Sequence, residues 1–196
     1  MTAGSSMSGP RTLPRSSKYR PRSSSTGAIG RMAGAVGAVT TILFAFSFLP
    51  QVVLFVGNML VSDSAASYFT GHLDVLWKVP VAVAILAVFY AVIGVALSSL
   101  TDRRIVAGAA IIGLFLVTSI AAGIMVDDRT SAAPGALLNV LALPLYLRDV
   151  VFLGNIDRGE PLSGLAGAGW YAAALYAVIV ASGVAVLLWR YRWVER

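Results

Sequence analysis

The chain has 196 residues, of which 58% are hydrophobic and only 12% are charged, and its mean hydropathy is +0.81. A soluble domain carries about twice that fraction of charged residues, so the apolar surplus predicts segments that lie in lipid. The sequence has no cysteine and a single histidine, His72, which excludes disulfide frameworks, thiol catalysis, iron–sulfur ligation and HExxH metal sites.

The first part of the chain, residues 1–31, is basic and rich in serine and proline. Pro10, Pro14 and Pro21 interrupt any helix, so we expect this segment to be largely disordered. It lacks the apolar central region of a signal peptide. A nucleic-acid-binding arm is one interpretation of such a run, but a cytoplasmic flank is favoured because a long apolar segment follows at once.

Residues 32–196 are predicted to form a transmembrane domain with four helical spans, at about 32–61, 79–100, 105–126 and 170–189. None of the four contains a charged residue, and each is long enough to cross the hydrocarbon, which takes about 20 residues. Pro50 predicts a kink in the first span. Segment 62–74 is predicted to be a polar loop and 101–104 a tight charged turn. The predicted fold class is therefore all-α, a polytopic membrane protein.

The long segment between the last two spans is not uniformly polar. Gly135–Leu147 is apolar but has only 13 residues, which is too short to cross a bilayer. It predicts a short re-entrant or interfacial helix before the last span, which Pro144 would break or bend. Arg148 and Asp149, at its end, are expected to pair with each other or to cap that helix.

The distribution of basic residues predicts the orientation. With the N-terminus inside, segments 1–31, 101–104 and 190–196 hold 11 of the 15 lysines and arginines, whereas the outer segments hold four. The positive-inside rule therefore predicts a multi-pass protein of the plasma membrane with both termini in the cytoplasm.

Few residues could catalyse a reaction, relay protons or bind a metal. His72 lies between Asp63 and Asp74, but solvated loop residues are favoured over a metal site because one histidine with sequence-near acids is weak evidence. Asp127, Asp128 and Asp149 could hold a metal in a membrane enzyme, although no spacing among them favours this. There is no Walker A sequence and no acid or lysine within a span to relay protons. We therefore predict no catalytic residue, metal or bound cofactor.

Three features carry a resemblance to a known family. Arg20-Pro21-Arg22-Ser23 is followed by Gly30-Arg31 just before the first span. Two spans are joined by a very short turn that contains Ser98, Ser99, Asp102, Arg103 and Arg104. A short apolar segment then precedes the last span, which ends in a basic aromatic tail. Over about residues 20–196 this arrangement resembles the C-terminal part of type-2 ABC exporter permeases, with the last four of six spans.

The resemblance implies a transport subunit without enzymatic activity of its own. Arg20–Ser23, Gly30 and Arg31 would form the segment that couples to a separate ABC ATPase, which binds ATP and Mg²⁺. A second permease subunit, identical or different, would complete the transporter, and nucleic acid would not be a partner. Gln51, Asn58 and Ser98 are the polar candidates for the substrate path.

Because family members carry two earlier spans, the chain is expected to be a truncated product, a gene fragment or half of a split permease. The alternatives are a small four-span protein with an assembly or regulatory role and, less favoured, a membrane enzyme.

Overall fold

The computed structural model describes residues 25–127 and 132–194, and every regular element in these ranges is helical. Seven α-helices follow in chain order: α1 (Ser25–Val61), α2 (Ala65–Gly71), α3 (Leu73–Leu100), α4 (Arg104–Asp127), α5 (Ala132–Gly135), α6 (Leu143–Leu153) and α7 (Ala168–Val194). Two short 3₁₀ turns, Ala136–Leu138 and Pro161–Gly164, lie before and after α6.

Four of these helices are long and apolar enough to cross a membrane, which confirms the predicted fold class. The apolar stretches are Gly30–Val61, Leu73–Leu100, Ile105–Asp127 and Ala168–Arg190. The shortest has 23 residues and so exceeds the length that a bilayer requires. The chain is thus a multi-pass membrane protein.

The structure corrects two predicted boundaries. Segment 62–74 is not a loop: α2 occupies most of it, and the Ser64 hydroxyl oxygen caps this helix by accepting from the Ser67 amide at 3.4 Å. As a result α3 begins at Leu73, six residues before the predicted start. Helix α1 begins at Ser25, inside the predicted basic segment, and its apolar stretch begins at Gly30. The α1 helix runs through Pro50 as one element.

Helix α3 lies at the centre of the bundle and contacts α1, α4, α6 and α7. Of its most apolar 18 residues 44% are buried, against 0% in α1, so protein encloses α3 much more than α1, which packs on the bundle with one side only. Phe89 and Val92 of α3 are fully or almost fully buried. Large apolar side chains remain exposed on α1, α4 and α7, as expected for surfaces that meet lipid.

The start of one long helix, the end of another and the turn between two more lie together at one end of the bundle. The end of α1 lies beside the start of α3, so these two helices run antiparallel. At the opposite end, Arg190 near the end of α7 lies 3.7 Å from Asp102 in the turn between α3 and α4. The start of α1, the α3–α4 turn and the end of α7 therefore share one face of the molecule, which we call the basic face.

Between α4 and α7 the chain folds back into the bundle. After α4 it returns alongside that helix, so that Ser119, eight residues before the end of α4, donates to the Asn139 side-chain oxygen at 3.1 Å. Tyr90 donates to the Leu141 carbonyl at 3.0 Å, and Lys78 donates to the Phe152 carbonyl at 3.2 Å. Since Tyr90 and Lys78 are about 18 Å apart along α3, α6 runs back toward the end where the segment entered.

This path is that of a re-entrant hairpin, which we define as residues 132–153 with its tip at 139–142. The tip lies about 12 Å from the end of α4, a little under half of the roughly 30 Å of hydrocarbon. The predicted short helix before the last span is confirmed, but a single helix over Gly135–Leu147 is wrong. That stretch is broken at the tip, and its helix is α6, where Pro144 starts the first turn because the missing amide has no helical partner there.

Candidate functional site

A groove lies between α1, α2 and α3, near the end of the bundle opposite the basic face. Its volume is about 340 Å³, within the range of small-molecule sites. The walls are mainly apolar and aromatic and consist of Phe48, Gln51, Val52, Leu54, Phe55, Asn58, Tyr68, Val75, Leu76 and Val79. We call this cavity the α1–α3 groove.

Gln51 and Asn58, two of the predicted substrate-path residues, both line the α1–α3 groove. They are seven residues apart, two helical turns, so their side chains project from the same face of α1 about 10 Å apart. Within the described part of the chain neither carboxamide makes a hydrogen bond to another group. The structure thus places two exposed, unpaired carboxamides on one wall of a mainly apolar groove.

A second cavity, of about 320 Å³, adjoins the groove and shares Gln51 and Val79 with it. It lies between α1, α3 and α6, and Ser47 and Arg148 are further polar residues in its wall. Arg148 donates through Nη2 to the carboxylate of Asp149 at 2.7 Å, which confirms the predicted pairing. Asp149 is only 7% exposed, so this ion pair lets a carboxylate be buried in the hairpin.

Helix α2 closes one end of the α1–α3 groove with aromatic side chains. Phe55 contacts Tyr68 at a ring-centre distance of 5.6 Å, and Tyr68 stacks on His72 at 4.3 Å. His72 also forms a 2.8 Å hydrogen bond through Nδ1 with the Tyr68 carbonyl. Asp74 pairs with Lys78 at 3.0 Å and does not approach His72 as a third ligand, since no group of three metal-binding side chains occurs among the described residues.

Ser98, the third predicted substrate-path residue, lies elsewhere. It is more than 25 Å along α3 from the groove residues Leu76 and Val79, and its hydroxyl donates to the Gly94 carbonyl at 2.7 Å. Ser99 likewise donates to the Ala96 carbonyl at 2.7 Å. Both serines therefore satisfy their hydroxyls within α3, next to the turn that contains Asp102, Arg103 and Arg104.

The predicted ATPase-coupling segment is described only in part. Gly30 and Arg31 belong to the first turns of α1, at the basic face. Arg20, Pro21, Arg22 and Ser23 lie outside the described residues. The geometry of this segment therefore stays a prediction.

Three residues that sequence reasoning did not single out hold the hairpin and the helices in place. The Asn139 side-chain oxygen accepts from Ser119 and, together with the Asn139 backbone carbonyl, from the Ala142 amide. Tyr90 holds the tip against α3, and Tyr176 donates to the Ile85 carbonyl at 2.9 Å. A tyrosine within an apolar span is the signal that could have identified such interhelical bonds.

Comparison with known proteins does not identify the site, because no family model, curated protein or solved structure matches this chain.

Proposed function

We propose that this protein is a membrane-spanning permease subunit of an ATP-driven ABC exporter, which couples ATP hydrolysis on a separate subunit to export of a substrate. The observation that supports this most is the re-entrant hairpin directly before the last span, because the resemblance to type-2 ABC exporter permeases implies such a hairpin at this place. Its tip reaches well into the bundle and is held by Ser119 and Tyr90.

The energy source is inferred from what the spans contain. The four predicted spans have no acid or lysine on which a proton or sodium gradient could act. The buried carboxylate of Asp149 lies in the hairpin and is held by Arg148. A transporter of this composition takes its work from a partner, and ATP bound by an ABC ATPase is the source that we propose.

The basic face is the proposed docking side for the ATPase. It carries Arg31, Arg103 and Arg190, and the segment 20–31 precedes or begins α1 there. We place this face in the cytoplasm, following the positive-inside rule. Two permease subunits would then pair, and closure of the two ATPases would tilt the spans so that the α1–α3 groove opens to the outside.

The orientation has a direct test, since the chain has no cysteine of its own. A membrane-impermeant maleimide should label an Asp157→Cys variant in intact cells and an Arg103→Cys variant only after the membrane is opened. Both positions are exposed, so the comparison is matched. The reverse labelling pattern would contradict the proposed orientation.

Co-purification tests the function. Tagged chain is extracted from its native membranes in mild detergent, and its partners are identified by mass spectrometry. We expect an ABC ATPase, and we expect an Arg31→Glu variant to retain less of it than wild type. An intact chain that never retains an ATPase would contradict the proposal and would favour an assembly or regulatory role.

A further inference from the structure

We propose that the α1–α3 groove binds one molecule of an uncharged amphiphile, with its apolar part against the groove walls and its hydrogen-bonding groups at Gln51 and Asn58. This amphiphile would be the substrate of the exporter, and that role of the groove rests on the proposed function. Binding itself is measured on this chain alone.

Gln51 requires a partner that the described chain does not supply, whereas Asn58 lies only three residues from the end of α1 and so nearer the membrane surface. Gln51 lies ten residues from the end of α1, about 15 Å along the helix, which corresponds to the middle of a bilayer. Water is scarce at that depth, and an unpaired amide group in an apolar medium is costly. A ligand with donors or acceptors about 10 Å apart satisfies both side chains at once.

The walls determine the charge of the ligand. No charged side chain lines the α1–α3 groove. The neighbouring cation, Arg148, faces the adjoining cavity and already binds the carboxylate of Asp149. A phosphate or carboxylate placed in the groove would lack a counter-ion in a medium of low dielectric constant. The amide, hydroxyl and ester groups of an uncharged head make hydrogen bonds without that cost.

The size of the groove fits a small ligand. Its volume of about 340 Å³ lies within the range of small-molecule sites. It admits part of an alkyl chain together with a small polar head.

Photolabelling tests the inference. The purified chain, in phosphatidylcholine nanodiscs, is exposed to diacylglycerol that carries a diazirine on one acyl chain, and labelled peptides are mapped by mass spectrometry. We expect label within residues 48–58 and 68–79, and much less label from phosphatidic acid with the same chains. The double variant Gln51→Leu/Asn58→Leu should lower labelling about tenfold, as the loss of two hydrogen bonds implies.

Two further variants make the test specific. Thr41→Val removes a hydroxyl from α1 outside the groove and should leave labelling unchanged, since Thr41 bonds only the Gly37 carbonyl of its own helix. Leu54→Trp fills the groove and should lower labelling although both carboxamides remain. It therefore tests occupancy apart from hydrogen bonding.

Several results would overturn the inference. These are equal labelling by both lipids with no effect of the double variant, absence of label from the groove peptides, or a disulfide-linked dimer of an Asn58→Cys variant, which would place a second copy there. The assay contains no ATPase, so its failure leaves the proposed function to be decided by co-purification. Labelling without an ATPase partner would leave a binding site with no role in export.

Discussion

The contact between α3 and α7 at Gly183 offers a quantitative test of the bundle. A Cβ added at Gly183 would lie 2.6 Å from Cγ1 of Val92, which is 2% exposed and therefore has little room to move. Carbon atoms in favourable contact are about 3.5 Å or more apart. The Gly183→Ala variant must therefore separate the two helices by about 0.9 Å or force Val92 out of its rotamer.

Such a separation affects neighbouring contacts on the same helix faces. A gap of this size forfeits about a quarter to a half of the dispersion energy of the atoms concerned. It would also stretch the 2.9 Å hydrogen bond from Tyr176 to Ile85 beyond hydrogen-bonding range. Overpacking of this kind costs about 1–3 kcal/mol, and we expect the Tm of the purified protein to fall by several degrees.

Thermal unfolding in detergent, followed by tryptophan fluorescence, measures this effect. The matched control is Gly108→Ala in α4, where an added Cβ meets no atom within 4 Å and the helix propensity of alanine should keep or raise the Tm. Adding Gly183→Ala to a Val92→Ala background should cost little, since the clashing Cγ1 is gone. If Gly183→Ala melts like its control, or costs the same in both backgrounds, the described packing of α7 on α3 is wrong.

Three more substitutions test the re-entrant hairpin by the same melting assay. Asn139→Leu leaves the Ser119 hydroxyl without its acceptor, although the Ala142 amide keeps the Asn139 backbone carbonyl, and should cost about 1–3 kcal/mol. Gly135→Ala places a Cβ 2.6 Å from Cβ of Met125 and should lower the Tm, unlike Gly123→Ala, which meets nothing. Lys78→Met removes the donor to the Phe152 carbonyl and the exposed pair with Asp74, and should lower the Tm only slightly. Unchanged Tm values for Asn139→Leu and Gly135→Ala would contradict the hairpin.

Length and charge were sufficient to predict the four spans. Uncharged apolar runs longer than a bilayer leave little choice of structure, since an unpaired backbone cannot lie in lipid. The boundaries of the helices were harder to predict from the sequence. Ser64 caps a helix in a segment that looked like a polar loop, and backbone hydrogen bonds such as that from the Tyr68 amide to the Ser64 carbonyl define that helix.

A short helical element before the last span was predicted, but the position of its turn was not. The sequence of an apolar run does not show where its helix breaks, because the hydrophobic pattern does not change at a turn that other helices cover. The Asn139 and Tyr90 side chains bind the tip to α4 and α3, and both of these hydrogen bonds are tertiary contacts. The common position of Gln51 and Asn58, in contrast, could have been read from their spacing of seven residues.

ATP hydrolysis by the purified assembly shows whether this chain is part of an ATP-driven exporter. Tagged chain from native membranes is reconstituted in lipid vesicles with whatever partners it retains, and release of inorganic phosphate from ATP is measured with and without vanadate. The account predicts vanadate-sensitive hydrolysis that disappears when the co-purifying ATPase is stripped away, since this chain has no Walker A sequence. Fully helical, membrane-inserted chain with no associated hydrolysis would contradict the assignment as an exporter subunit.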